Sequence, residues 1–311
     1  MKKEIKNIEA SVRAKLTNKA EETHRPFSEI LQYYAMERFL YRLSQTEHVD
    51  KFILKGALMF TVWQVPLRRT TMDIDFLGRL ENQIPKIETI IKDVCRQKVA
   101  SDGLRFDAAT VKCQKIKEGA DYEGVRVKFM GFLERARVSM QIDVGFGDEI
   151  YPKPQMIDYP VILDFPKPHL KGYPIESVIA EKFEAMVKLG IANSRMKDFY
   201  DLWLLMRQFD FEVESLARAI EKTFTHRKTV MPGKPPLFAE EIYNKKSNRQ
   251  AFWSAFLTKS KIKNAPITLS ETAKLIEAFL EKPIKALVQK KGFDGKWKAC
   301  LPDRQAPGPW R

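Results

Sequence analysis

The sequence predicts an α+β fold in two parts: an N-terminal domain over residues 1–165, in which helices flank a mixed sheet, and a C-terminal helical bundle over 166–290. Three observations predict it. Apolar residues recur at helical spacing as far as Leu43, strand-like segments follow between Phe52 and Val144, and nearly every pattern beyond Pro174 is helical again. The chain has 311 residues, more than the roughly 250 to 300 that one core usually organises.

In chain order, Ile5, Ile8, Val12 and Leu16 share one helical face, and Ile30, Tyr33, Tyr34, Met36, Phe39, Leu40 and Leu43 mark a second helix. Pro26 separates them, at a position suited to a first helical turn. Phe52–Leu54, the Lys55-Gly56 pair and Ala57–Gln64 read as strand, turn and helix. Met72–Leu77 alternates acidic and apolar residues, as a strand with one polar face does. A helix near Ile84–Arg96 precedes three extended segments, Leu104–Ile116, Gly124–Leu133 and Arg137–Val144. Pro152, Pro154, Pro160, Pro166, Pro168 and Pro174 then remove backbone donors, so regular elements are not expected there and the domains join in this stretch. Helices are expected over Ile175–Leu189, Arg195–Gln208, Val213–Phe224, Arg249–Leu257 and Leu269–Gln289. Residues 291–311 lack a period, are rich in turn formers and are expected to form a flexible basic tail.

Composition narrows the function classes. Hydrophobic residues at 44% and charged residues at 30% are globular proportions. The start interleaves Lys3, Glu4, Lys6, Glu9 and Arg13 with apolar residues, and the most hydrophobic window, Phe52–Trp63, is interrupted by Lys55. Neither export nor a membrane span is expected, and the cytoplasm is the expected compartment. Cys95, Cys113 and Cys300 are scattered, as are the four histidines, so the spacing suggests neither a disulfide framework nor a zinc site. A net charge of +14 attracts polyanions such as RNA, DNA or nucleoside triphosphates. From Arg249 onward there are 13 Lys or Arg against 5 Asp or Glu, so much of that surplus lies near the C-terminus, where a solvated helical face explains it equally well.

The residues that carry chemistry are acidic. In an extended chain, residues i and i+2 point the same way, so Asp73 and Asp75 place two carboxylates a few ångströms apart. Such a pair repels unless a cation lies between its members, and magnesium, with its preference for hard oxygen ligands and phosphates, fits. Asp143, within MQIDVGFGD, supplies a third carboxylate from a later strand. The expected roles are metal ligation by all three, with Asp143 helping to deprotonate an attacking hydroxyl. Alone, DxD is more often a pair of solvated carboxylates. Its setting is more restrictive, because a strand, the Lys55-Gly56 turn and a short helix precede it, with Arg68, Arg69, Thr70 and Thr71 adjoining. Backbone amides after Gly56 are candidates to contact phosphate oxygens.

The ordered segments FILKGALMFTVWQVPLRRTTMDIDFLG, QIDVGFGD, PIESVIAEKFEAMVKLG and RMKDFYDLWLL, with ERFLYRLS before them, resemble the motifs of the AbiEii-type toxin nucleotidyltransferases, a branch of the DNA polymerase beta-like superfamily. The resemblance covers about Arg25 to Leu205. It implies a two-metal magnesium enzyme that moves a nucleotide from a nucleoside triphosphate to an acceptor, as the toxin of a toxin–antitoxin pair. It further implies a DNA-binding antitoxin encoded nearby, acting without a stable complex. By the same resemblance Lys182 matches the triphosphate-contacting lysine, and Asp198 and Asp201 an acidic pair, Asp198 catalytic and Asp201 nucleotide-binding. Lys55, Gly56, Ala57, Arg69 and Thr71 complete the expected nucleotide site. Ala57 departs from the glycine–serine pair common in that superfamily, so no hydroxyl is available at that turn.

Within this resemblance an RNA acceptor of transfer-RNA type leads, and a protein hydroxyl remains an alternative acceptor. A non-catalytic nucleic-acid-binding module and a metal-dependent nuclease are further readings. The first predicts that Asp73→Ala changes nothing, and the second predicts shortened rather than lengthened RNA.

Overall fold

The computed structural model describes residues 7–65, 70–118, 122–233, 235, 238 and 248–299. The chain divides into two compact units, one of Met1–Gln64, Thr70–Gly147 and Gln155–Gly172, the other of Val65–Arg69, Asp148–Pro154 and Tyr173–Arg311.

The first unit contains α1 (Ile8–Thr23), α2 (Phe27–Ser44), β1 (Phe52–Lys55), α3 (Leu58–Val62), β2 (Ile74–Gly78), α4 (Ile84–Arg96), β3 (Leu104–Glu118), β4 (Tyr122–Leu133), β5 (Ala136–Phe146), β6 (Gln155–Asp158) and β7 (His169–Gly172). Its seven strands form one mixed sheet in the order β3-β4-β5-β2-β1-β7-β6. The β2–β5 and β1–β7 pairs are parallel and the others antiparallel. Alternation decides which face is covered. Val125, Val127 and Phe129 on β4, and Val138, Met140, Ile142 and Val144 on β5, are buried, on the side where α2 packs on β5 and α4 on β3. Phe39 of α2 meets Phe106 and Phe129 with ring centroids 5.8 and 5.3 Å away, an edge contact and a tilted one.

Helix α1 begins where Asn7 Oδ1 accepts the Ala10 amide at 3.0 Å, an ordinary N-cap. Helix α2 is buried on most sides and carries charged residues inward, each with a partner. The Arg42 guanidinium forks onto Asp102, at 2.8 and 2.9 Å, and also donates to the Leu104 carbonyl at 2.9 Å. Tyr34 Oη donates to the Asp102 carbonyl at 2.8 Å. Asp102 is 2% exposed, so Arg42→Ala leaves a buried anion without its counter-charge, and a loss of about 3–5 kcal/mol in urea unfolding is expected.

The proline-rich stretch differs from its expectation. It contributes β6 and β7, which pair with each other, and β7 joins β1. None of its six prolines falls within either strand, so the ladder loses no donor. Helix α2 also binds the loop between these strands. Glu37 Oε2 accepts the Ile162 amide at 2.7 Å, and Arg38 donates to the Pro166 carbonyl at 2.8 Å. Burial pushes the Glu37 carboxyl up to about 7.

The second unit contains α5 (Ile175–Leu189), α6 (Met196–Gln208), β8 (Phe211–Glu212), α7 (Val213–His226), α8 (Asn248–Lys259), α9 (Leu269–Gln289) and β9 (Lys296–Trp297). Thr268 Oγ1 accepts the Glu271 amide at 3.2 Å and starts α9. Within residues 291–299, expected to belong to a flexible tail, Lys291, Gly292, Asp294 and Lys298 are exposed and Trp297 is buried. Strand β9 pairs with β8, and Trp297 is 1% exposed, donating to the Met206 carbonyl at 2.6 Å and meeting Phe279 at 5.0 Å. A single aromatic anchor leaves no periodic trace in sequence, which is why its packing is not predicted. Residues 300–311 lie outside the described residues. Among the described residues no helix is long and apolar enough to cross a membrane.

Candidate active site

Asp75 on β2 and Asp143 on β5 are direct neighbours across the parallel pair. The strand begins two residues later than the alternation predicts, so Asp73 lies in the bend just before it. The three aspartates still converge, each offering a carboxylate oxygen, with those atoms all within 4.8 Å of one another. Asp143 is buried and the other two are half-buried. Three like charges at this separation oppose one another strongly unless cations are near.

Among the described residues a protein cation pairs with Asp143. Arg126, on β4 opposite Asp143, donates from Nε to Oδ1 at 2.8 Å and from Nη2 to Oδ2 at 2.7 Å. Gln141 Nε2 approaches the same Oδ2 at 3.4 Å. The fork offsets the charge of Asp143, whose Oδ1 keeps a further lone pair for another ligand.

The segment before β2 is held from α2. Thr71 Oγ1 donates to Asp73 Oδ1 at 2.6 Å, while the Thr71 amide donates to Tyr33 Oη at 3.1 Å. Gln32 Nε2 lies 3.2 Å from the Met72 carbonyl and 3.3 Å from that of Ser139, tying the approach to β2 to β5. Thr71, expected at the nucleotide, is buried and orients Asp73.

Gly56 has φ +71, a region that favours glycine, and a Cβ built on it would lie 2.0 Å from Asp75 Oδ2. The missing side chain therefore makes room for the carboxylate. Lys55 lies directly opposite Asp75 in the β1–β2 ladder. Ala57 is buried at the start of α3, where the Met59 and Phe60 amides donate to the carbonyls of Gly56 and Ala57 at 3.3 and 3.2 Å. Arg69 lies outside the described residues.

The remaining expected residues gather in the second unit. Asp198 and Asp201 share the inner face of α6, both 0% exposed by side chain, and Lys182 Nζ from α5 reaches them at 2.9 and 2.8 Å. Arg195 Nε lies 2.6 Å from Asp198. Glu181 and Glu184, the neighbours with which a surface lysine would pair, have other engagements. Tyr173 Oη donates to Glu181 at 2.6 Å, and Arg227 holds Glu184 at 2.9 Å. Burial, reinforced by the charge of Glu181, pushes the Tyr173 phenol well above its usual range.

Gln32, Tyr33, Arg126 and Gln141 are absent from the sequence expectations. A signal existed for Arg126. The two-residue turn Glu134–Arg135 pairs Leu133 with Ala136, and counting back along both strands sets Arg126 against Asp143. For Gln32 and Tyr33 only the docking of α2 supplies the contact.

The donor set suits a hard divalent cation. It has three carboxylates, a glycine that keeps their space open, and an arginine paired with one of them. Two solved structures resemble the chain over 85% of its length and 98% of theirs: a nucleotidyltransferase structure from H. pylori (TM-score 0.46, 14% identity) and JHP933 from Helicobacter pylori (TM-score 0.43, 15% identity). No curated protein matches. The family model of the nucleotidyl transferase AbiEii toxin of type IV toxin–antitoxin systems matches residues 38–303. That span takes in Asp73, Asp75 and Asp143 together with the Lys182 cluster, and the chain belongs to this family of nucleotidyltransferase toxins.

Proposed function

We propose that the protein transfers a nucleotide from a nucleoside triphosphate to an RNA acceptor of transfer-RNA type, in the cytoplasm and in a magnesium-dependent reaction. The observation that supports this most is the convergence of Asp73, Asp75 and Asp143 beside a glycine whose missing side chain gives Asp75 its place. Asp73, Asp75 and Asp143 would hold the magnesium ions, whose chemistry when bound is to neutralise developing charge on the entering and leaving oxygens. The acceptor hydroxyl forms a bond to the α-phosphorus, the bond from that phosphorus to the bridging oxygen breaks, and pyrophosphate departs. Asp143 is the group assigned to take the hydroxyl proton. Arg126 fixes its orientation, and Thr71 fixes that of Asp73.

The transfer chemistry is assigned to residues 1–165, and the helical region over 166–290 contributes Lys182 to the triphosphate. Asp198 and Asp201 are fully buried against that lysine, which supports a role in positioning it. Asp201→Asn weakens a charge-assisted contact by about 1.5 kcal/mol, so KM for the triphosphate should rise about 10-fold with a smaller change in kcat. Steady-state kinetics with varied triphosphate check this, and an unaltered KM would confine the cluster to stability. The cellular partner is a DNA-binding antitoxin encoded nearby that acts without a stable complex.

The test is incubation of the whole chain with each α-labelled triphosphate and magnesium, with total RNA or total protein as acceptor. Lengthened, labelled RNA is expected. Label on protein alone, shortened RNA, or activity indifferent to Asp73→Ala would each sink the reading.

A further inference from the structure

We propose that the face of β3, β4 and β5 turned away from α2 and α4 is the track on which the acceptor RNA lies, its phosphates following cations that lead to Asp143. This rests on the reading of RNA as acceptor and adds where that RNA is held. An antiparallel sheet often leaves one face to water, so exposure alone says little. What singles this face out is its sign and its order.

The register sets the side chains in rows. The row nearest the carboxylates runs Gln114, Arg126, Asp143, Asp75 across four strands. Two residues further along, about 7 Å away, Lys112 stands directly opposite Lys128, which is opposite Gln141. At the far end Arg105 is opposite Phe132, and Phe132 is opposite Arg137. Arg105, Lys112, Lys128 and Arg137 are exposed. On this face of the three strands the described acids are Asp107, Glu118 and Asp143, and Arg126 already holds the last.

Like charges set opposite each other weaken a sheet. Lys112 and Lys128 stand in that arrangement, and among the described residues neither has a carboxylate partner. A polyanion running along the strands past this pair removes the repulsion. The step from the Arg126 row to the Lys112–Lys128 row is close to that between successive phosphates in an extended single strand, and the row beyond, Asp107, Met130 and Ser139, carries no cation. At the far end, the Arg105 guanidinium lies 4.5 Å from the centre of the Phe132 ring, a flat cationic and aromatic surface of the kind on which unpaired bases stack. A protein partner needs neither the spacing nor the stacking surface. The track is also continuous with the carboxylates at which the strand's terminal hydroxyl reacts.

The test uses the full chain and Lys112→Gln/Lys128→Gln, both confirmed folded by thermal melting. Binding of a labelled single-stranded RNA is measured without magnesium at several salt concentrations. The affinity of the variant should fall about 10-fold at low salt, and the slope of log affinity against log salt should flatten by about 1.4, for two phosphate contacts at about 0.7 each. In the transfer assay the loss should appear in KM for RNA rather than in kcat. A second arm crosslinks RNA to the unaltered protein, and peptides from β3 to β5 should carry the adduct. Equal affinity and slope in the variant, or adducts confined to residues beyond Arg249, would overturn the inference while the RNA-acceptor reading stands. If wild type labels protein and not RNA, that reading fails first and takes this inference with it, and this face is then left to a protein partner.

Discussion

Asp75→Asn is expected to lower the rate of nucleotide transfer by about 10³-fold or more, since several kcal/mol of transition-state charge stabilisation depends on the carboxylate set and each 1.36 kcal/mol is tenfold in rate. The same change removes one of three anions gathered within 4.8 Å, so the folded protein gains from reduced repulsion. Activity and stability should therefore move in opposite directions, activity collapsing while the melting temperature holds or rises. The transfer assay and a thermal melt on one preparation check both. Activity within tenfold of wild type would place the chemistry away from these aspartates.

The second large effect is expected at Gly56. An alanine there must adopt φ +71 with its Cβ 2.0 Å from Asp75 Oδ2. The backbone cost is about 1–2 kcal/mol, and relief of the clash requires the carboxylate to move. Misplacing a catalytic group by about 1 Å is worth about 10²-fold in rate, so Gly56→Ala should lose both stability and activity. Gly190 is the control. It too has positive φ, +46, but a Cβ there meets nothing within 4 Å, so Gly190→Ala should lower the melting temperature and leave transfer intact. Equal losses of activity in the two variants would mean that strain, and not the approach to Asp75, matters at Gly56.

Much of the architecture could be read from residue order. The alternation through β4 and β5, the spacing in α5, α6 and α9, and the turn at Lys55-Gly56 all match the structure, because each depends on local geometry and on which face must leave water. The proline-rich stretch and the C-terminal segment were not legible. Strands β6 and β7 are four residues each, too short to show a period, and exist because β1 offers an edge to β7. Trp297 meets the Met206 carbonyl and the Phe279 ring, contacts that no sequence window contains.

The same division runs through the site. Residue types and spacing by themselves singled out Asp73, Asp75 and Asp143, since i and i+2 in an extended chain point the same way and a third acid in an apolar strand invites the same edge, although Asp73 lies in the bend just before β2. Only tertiary structure decided that Arg126 holds Asp143, that Thr71 serves Asp73, and that Lys182 is bound by two buried aspartates. The physical reason is reach. Propensity and periodicity act over a few residues, whereas a hydrogen bond or ion pair between distant segments exists only once sheet register and helix docking have brought both ends within about 3 Å.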